Sequence, residues 1–153
     1  MITKKDPQEV IHSQVTGGKF WEWPKIEKDG KATKLIAISG DLNVHNGAYL
    51  REMLISTLET LKEGDKIIIH MDRGSINWNN LTARIETPIE FMDSTGIGAL
   101  IGGCKRCAEA RIHYVLVYST KYIRELFHHS GLDKLFETAA SLQEALDLNP
   151  SVQ

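Results

Sequence analysis

The chain contains 153 residues, of which 42% are hydrophobic and 25% are charged. These values are typical of one globular domain and exclude an intrinsically disordered chain. The 18 basic and 20 acidic side chains leave a net charge of −2, which excludes the basic surface that non-specific nucleic-acid binding needs. No apolar run approaches the roughly 20 residues of a membrane-spanning helix, and the polar first residues lack a signal peptide's apolar core. We therefore expect a cytoplasmic protein that neither binds nucleic acid nor inserts into a membrane.

The first half of the chain alternates between strand and helix patterns after a polar stretch, residues 1–9, which we interpret as a flexible N-terminal arm. Glycine pairs, apolar runs and leucines at helical spacing define the elements. In chain order they are two strands flanking Gly17-Gly18, a hairpin turn at Asp29-Gly30, a strand over residues 35–38 that ends at Ser39-Gly40, a helix capped by Asn46 and ended by Gly64, and a strand over residues 67–69.

The second half continues the alternation after residues 72–88, which show no clear period and are interpreted as a long loop or insertion. Trp78 in that segment is either an interface anchor or part of the core edge. The predicted elements that follow are a strand over residues 89–92, a helix after Asp93-Ser94-Thr95, a strand over residues 114–118, a helix over residues 121–130 stopped by Gly131, a short strand at Leu135-Phe136, a helix after Ser141, and a tail over residues 149–153.

Strands that alternate with helices predict an α/β domain over residues 10–148. We expect a single domain with a mostly parallel or mixed central sheet of four to five strands and about four helices. The helix after Thr95 should present Ile97, Leu100, Ile101, Cys104 and Ala108 on its buried face. Functional sites in such sheets lie at the carboxyl ends of strands, which here are residues 40–43 and residues 93–96.

The segment at residues 93–96 joins a buried strand to an apolar helix. Ser94 or Thr95 is suited to cap that helix through its hydroxyl group. The start of the helix presents free N–H groups and partial positive charge, so the domain would tolerate a phosphate there. Such a phosphate would add about 1.5 to 2 negative charges to a surface that already holds Asp41 and Asp93. On these signals alone, a plain capped helix and a phosphorylation site remain alternatives.

Enzymatic and metal-binding interpretations find little support in the sequence. Cys104 and Cys107 form a CxxC pair without further ligands at zinc-binding spacing, so we interpret them as packing or surface thiols. No nucleophile, histidine and acid set can be assembled, and we predict no catalytic residue, metal or cofactor. Phosphorylation of Asp93 itself, as in receiver domains, requires an acidic pair with Mg²⁺, and only Asp41 follows a comparable strand.

Three segments together resemble the STAS domain, the fold shared by anti-sigma factor antagonists and the cytoplasmic ends of sulfate transporters. The central segment, residues 91–100, is similar to the family pattern of Asp, a small residue, Ser or Thr, Gly, an apolar residue and Gly. Residues 40–43 resemble the Gly-acidic-Leu-Asp turn after the first long strand. Residues 130–136 resemble the Ser/Thr-Gly-Leu-x-x-Leu-Phe segment near the end.

The resemblance implies a regulatory binding protein rather than an enzyme. In such antagonists a partner kinase, which is the anti-sigma factor or a relative of one, phosphorylates a Ser or Thr, and a phosphatase reverses the modification. The implied phosphoacceptor is Thr95, with Ser94 as second choice. The implied partner-binding residues are Asp41, Asn43, Asp93, Ser94, Thr95 and Gly96.

A second role on the same fold is a constitutive binding module, such as an accessory subunit of a transporter or a scaffold component of a stress-signalling assembly. Other STAS domains would then be further partners. Trp21 and Trp23 lie outside the matching segments and are interpreted either as contacts for such an assembly or as core residues of a hairpin.

Overall fold

A computed structural model describes residues 10–149. The predicted N-terminal arm, and the predicted tail after its first residue, lie outside that range. The described residues form ten strands: β1 (Ile11–Val15), β2 (Gly18–Glu22), β3 (Ile26–Lys28), β4 (Lys31–Leu42), β5 (Lys66–His70), β6 (Gly74–Trp78), β7 (Leu81–Ile85), β8 (Ile89–Met92), β9 (His113–Val117) and β10 (Glu137–Ala139). The same range contains four α-helices: α1 (Gly47–Leu58), α2 (Ser94–Ala110), α3 (Lys121–Ser130) and α4 (Leu142–Asp147).

The predicted α/β class and four helices are confirmed, but the part of the central sheet formed by residues 10–149 has eight strands rather than four or five. Its main path is β1-β2-β4-β5-β9-β10, and β3 and β8 both pair with β4. The strands β4, β5, β9 and β10 run parallel, while β1, β2 and β3 form antiparallel pairs. β1 and β2 are the two strands predicted on either side of Gly17-Gly18, whereas β3 and β10 are strands of only three residues.

Strand β4 organises the sheet because it is 12 residues long and pairs with four others. On one side it pairs with β3 and then with β2. On the other side β5 pairs with its residues 33–37, and β8 pairs with residues 40–42 after β5 has ended. The last residues of β4 therefore lie beside the last residues of β8.

Alternating side chains divide the core between the two faces of this sheet. Ile36 and Ile38 point to the face covered by α1, α2 and α3, whereas Leu35 and Ala37 point to the opposite face. The opposite face is covered by residues of α4 and of the separate β6–β7 pair. Both layers are hydrophobic, so β4 is buried on both sides, as its apolar run predicted.

The segment at residues 72–88, predicted as a loop, contains a β-hairpin. Strands β6 and β7 pair antiparallel around Asn79 and Asn80, whose φ values of 53° and 65° match a two-residue hairpin turn. Trp78 is buried, and its indole N–H donates to the Pro24 carbonyl at 3.2 Å. The indole N–H of Trp23 donates in turn to the Leu81 carbonyl at 3.0 Å. Trp78 and Trp23 are therefore core residues.

Two further predictions of element ends were wrong. The last strand is β10 and not Leu135-Phe136, because a 3-10 helix over Leu132–Lys134 precedes these residues and Phe136 packs into the core. Helix α1 ends at Leu58, so Gly64 does not cap it.

No helix within the described residues is both long and apolar enough to cross a membrane.

The buried face of α2 is also rotated from the predicted one. Ala99, Leu100, Gly103 and Cys107 are buried, whereas Ile97, Ile101 and Cys104 are only partly buried and Ala108 is exposed. The cause is close packing of α2 on α1 and β9. A Cβ atom at Gly103 would lie 2.8 Å from Leu54 Cδ1 and 3.0 Å from the Tyr114 hydroxyl. Leu100 and several small residues, rather than Ile97 and Ile101, therefore form the most buried face of α2.

Candidate functional site

The two segments that the sequence placed at strand ends meet in the structure. Strands β4 and β8 run parallel, with Asp41 opposite Phe91 and Leu42 opposite Met92. The Asp93 N–H donates to the Leu42 carbonyl at 3.1 Å, which continues the contact beyond the strands. Residues 40–43 and residues 93–96 are therefore one continuous surface at the carboxyl end of the sheet.

Asp93, rather than Ser94 or Thr95, caps helix α2. Its Oδ1 accepts a hydrogen bond from the Gly96 N–H at 2.9 Å, and its Oδ2 accepts from the Val44 N–H at 2.9 Å. One carboxylate thus fixes both the start of α2 and the loop after β4. Phosphorylation of Asp93 itself would use one of these two oxygens and disrupt its hydrogen bond, so this geometry argues against the receiver-type alternative.

The two hydroxyl-bearing residues of the segment differ in exposure. Ser94 is exposed as the first residue of α2, whereas Thr95 is half-buried. The Thr95 methyl group lies 3.0 Å from the position of a Cβ on Gly47, at the start of α1. Gly96 is buried, and a Cβ there would collide with the Leu42 carbonyl oxygen. Gly96 consequently allows α2 to approach β4 and does not itself offer a surface for a partner.

A fully buried side chain, Asn46, shapes the other half of the site. Its amide N–H groups donate to the Asp41 carbonyl at 2.8 Å and the Val15 carbonyl at 3.2 Å. Its Oδ1 accepts from the Asn43 N–H at 2.8 Å. Asn46 stands at the N-cap position of α1 but makes no side-chain cap bond. Asn46 therefore stands before α1 as predicted, but its side chain does not cap the helix. It connects β1 and β4 to the loop that follows β4.

The turn between β1 and β2 belongs to the same surface, which the sequence did not indicate. The Asp41 N–H donates to the Gly17 carbonyl in this turn at 3.0 Å. Within the loop after β4, Asn43 Oδ1 accepts from the His45 N–H at 2.9 Å. Asp41 and Asn43 are both half-exposed. The backbone around them is therefore fixed by hydrogen bonds, while their side chains remain partly accessible.

The cysteines lie in the later turns of α2, away from Asp93. Burial raises the pKa of the Cys107 thiol to about 12, and burial also raises the pKa of Cys104. Both groups are therefore protonated thiols at neutral pH, in line with packing roles. Within residues 10–149, no group of three or more His, Cys, Asp or Glu side chains is placed to hold a metal ion.

Comparison with known proteins connects this geometry to a family. The sequence profile of the STAS domain matches residues 24–145. The fold is similar to that of an anti-sigma factor antagonist from Mycobacterium paratuberculosis, with 16% identity, 92% of this chain and 94% of that chain covered, and a TM-score of 0.59. It is also similar to the anti-sigma factor antagonist SpoIIAA in its unphosphorylated form, with 19% identity, 90% and 93% of the two chains covered, and a TM-score of 0.55.

At these identities the solved structures establish the fold, whereas the profile match spans most of the chain and includes residues 40–43 and residues 93–96. The chain belongs to the STAS domain family.

Proposed function

We propose that this protein is a regulatory binding protein of the anti-sigma factor antagonist type. Its partner is an anti-sigma factor or a related serine/threonine kinase in the cytoplasm, and a phosphatase restores the unmodified form. The proposed contact surface comprises the accessible residues at the two strand ends: Asp41, Asn43, Asp93, Ser94 and Thr95. Gly96 belongs to the same segment, but it is buried and contributes only by letting α2 approach β4. The proposal gives this chain no catalytic step of its own, because the partner kinase binds ATP and transfers the phosphoryl group.

The observation that supports the proposal is the double hydrogen bonding of Asp93. It holds Ser94 and Thr95 in a fixed position at the N-terminus of the 17-residue helix α2. A phosphate there adds about 1.5 to 2 negative charges, and the positive end of the helix stabilises that charge. The modification therefore changes the surface without unfolding the domain. A bound partner would have to desolvate the new charge, which favours release.

The choice of acceptor depends on two different arguments. The family resemblance implies Thr95. Exposure favours Ser94, because the Thr95 side chain is half-buried against Gly47 and would have to move to enter a kinase active site. We propose that one of these two hydroxyl groups, on Thr95 or on Ser94, is phosphorylated. The two positions must therefore be tested separately.

The test is a pull-down from native cell lysate with wild type, the Ala variants of positions 94 and 95, and the corresponding Glu variants, read by mass spectrometry. We expect wild type and both Ala variants to retain a kinase-type regulator. We expect the Glu variant at the true acceptor position to lose it. Thr82→Glu is the matched control, since Thr82 is exposed on β7, and it should retain the partner.

The outcomes separate the two roles of the fold. If one regulator is retained by all variants, the hydroxyl pair is not a phosphorylation switch and the protein is a constitutive binding module, such as a transporter subunit or a scaffold component. Phosphate found on Ser94 or Thr95 by mass spectrometry of the endogenous protein would identify the acceptor directly.

A further inference from the structure

Three residues with exposed apolar side chains are hydrogen-bonded to the dipeptide Met92-Asp93 or directly precede it. Six large apolar side chains are exposed among residues 10–149, and three of them are joined to this dipeptide: Val44, Phe91 and Tyr122, with exposed fractions of 60%, 47% and 39%. The Val44 N–H donates to Asp93 Oδ2 at 2.9 Å, and the Tyr122 hydroxyl accepts from the Met92 N–H at 3.0 Å. Phe91 directly precedes Met92. We name these three residues the apolar set.

Each member of the apolar set is held by a regular element or by a hydrogen bond. Phe91 lies within β8, Tyr122 lies in the first turn of α3, and the Val44 backbone is fixed by Asp93. Phe and Tyr have few rotatable bonds, so burying them against a partner costs little conformational entropy. Exposed apolar groups in a fixed arrangement are typical of protein contact sites.

Carboxylates border the apolar set. Glu90 precedes Phe91 in β8 and is exposed, and Asp41 lies opposite Phe91 in the register of β4 and β8. None of the seven ion pairs among the described residues includes Asp41 or Glu90. A partner that buries this region must therefore supply cations of its own, because a buried carboxylate without a counter-charge is costly.

We propose that the apolar set is the centre of a docking surface for a protein whose own face presents an apolar patch bordered by Lys or Arg. The inference rests on the proposed function in one respect, that the partner is a protein regulator. The docking surface would also explain how phosphorylation weakens the binding of the partner. The partner's cations are already paired with the carboxylates, so a phosphate on Ser94 or Thr95 brings further charge into the contact without a counter-charge.

Photo-crosslinking in native cell lysate tests the surface even while the partner is unidentified. Benzoylphenylalanine replaces Phe91 in one variant and Leu135 in the other. Leu135 is the matched control because its exposed fraction is also 47%, and it precedes β10 at the amino end of the parallel strands. We expect position 91 to crosslink one protein through a peptide that contains apolar residues and Lys or Arg. Position 135 should give background only.

Absence of a crosslink from position 91, equal recovery from position 135, or a crosslinked peptide without basic residues would overturn the docking surface. The crosslinked protein is then purified, and its affinity is measured for Phe91→Ser and Leu135→Ser. We expect Phe91→Ser to weaken binding about tenfold or more, as for a contact at the centre of an interface, and Leu135→Ser to leave the affinity unchanged. Equal effects of the two variants would also overturn the proposal.

The same purified protein distinguishes this inference from the proposed function. If Phe91→Ser weakens binding but the Glu variants at positions 94 and 95 bind as wild type does, the docking surface stands and the phosphorylation switch fails. If the Glu variants release the partner while Phe91→Ser binds normally, the switch stands and the docking surface is wrong. Circular dichroism of both Ser variants confirms that they fold.

Discussion

Asp93 shows how one side chain connects local helix geometry to the candidate site. Its two oxygens accept from the backbone of α2 and from the backbone of the loop after β4. The sequence placed Asp, Ser and Thr in succession at this position, and all three residue types are good N-caps. The start of the helix was therefore predictable, whereas the identity of the capping residue was not. The structure decides it through the extended backbone of Asp93.

We expect Asp93→Ala to lower the free energy of unfolding by about 1 to 2 kcal/mol, because the cap and the bond to the Val44 N–H are both lost. Asp93→Asn should cost less, since its single oxygen still accepts one bond. Urea unfolding followed by circular dichroism measures both. The control is Ser94→Ala, which should stay within about 0.5 kcal/mol of wild type. A loss at Ser94 as large as that at Asp93 would mean that Ser94 is the cap.

Asn46 marks the limit of prediction at the scale of single residues. Its position before a helix suggested a cap, but its partners include the carbonyl of Val15, 31 residues away in the chain. A spacing rule cannot anticipate such a contact, because it depends on how β1 and β4 come together. Residues whose role follows from neighbours in the chain were predictable. Those whose role depends on the sheet were not.

At the scale of elements, the β6–β7 hairpin has a weak sequence pattern that explains why it was predicted as a loop. Ile76 and Trp78 alternate with polar residues in β6, and Ile85 is buried in β7. The turn is Asn-Asn, which tolerates positive φ less readily than the Asn-Gly pair that usually marks such turns. A two-residue turn between two short alternating runs was therefore the only local signal. The hairpin covers the second face of the sheet through contacts between residues that are far apart in the chain. A local sequence pattern cannot predict such contacts.

We expect Trp78→Ala to lower the free energy of unfolding by about 3 to 5 kcal/mol, the range for removing a buried large aromatic side chain. The loss includes the packing of Trp78 in the second layer and its hydrogen bond to Pro24. Asn77→Ala is the matched control, because Asn77 precedes Trp78 but is exposed. Chemical denaturation of both variants tests this, and a similar small effect of each would show that the hairpin does not pack on the sheet.

At the scale of the whole molecule, the order of strands and helices followed from hydrophobic periodicity, but the breadth of the sheet did not. Strands of three residues such as β3 and β10 are too short for a period-two pattern to be distinguished from a loop. The long strand β4, and the buried strands β5 and β9, were recognised by their apolar runs. These three strands form the centre of the sheet and hold both hydrophobic layers together.

The shared strands predict that the two layers unfold together. All three tryptophans of the chain lie in the layer with the hairpin and α4, whereas α1, α2 and α3 cover the other layer. Tryptophan fluorescence therefore reports mainly on one face of the sheet, and far-ultraviolet circular dichroism at the helical band reports mainly on the other. We expect both signals to give the same midpoint in urea, because separating either layer exposes the apolar side of β4, β5 and β9. A fluorescence transition at lower urea would show instead that the hairpin layer detaches first. The candidate site, which is built from β4, β8 and α2, would then remain folded after that layer is lost.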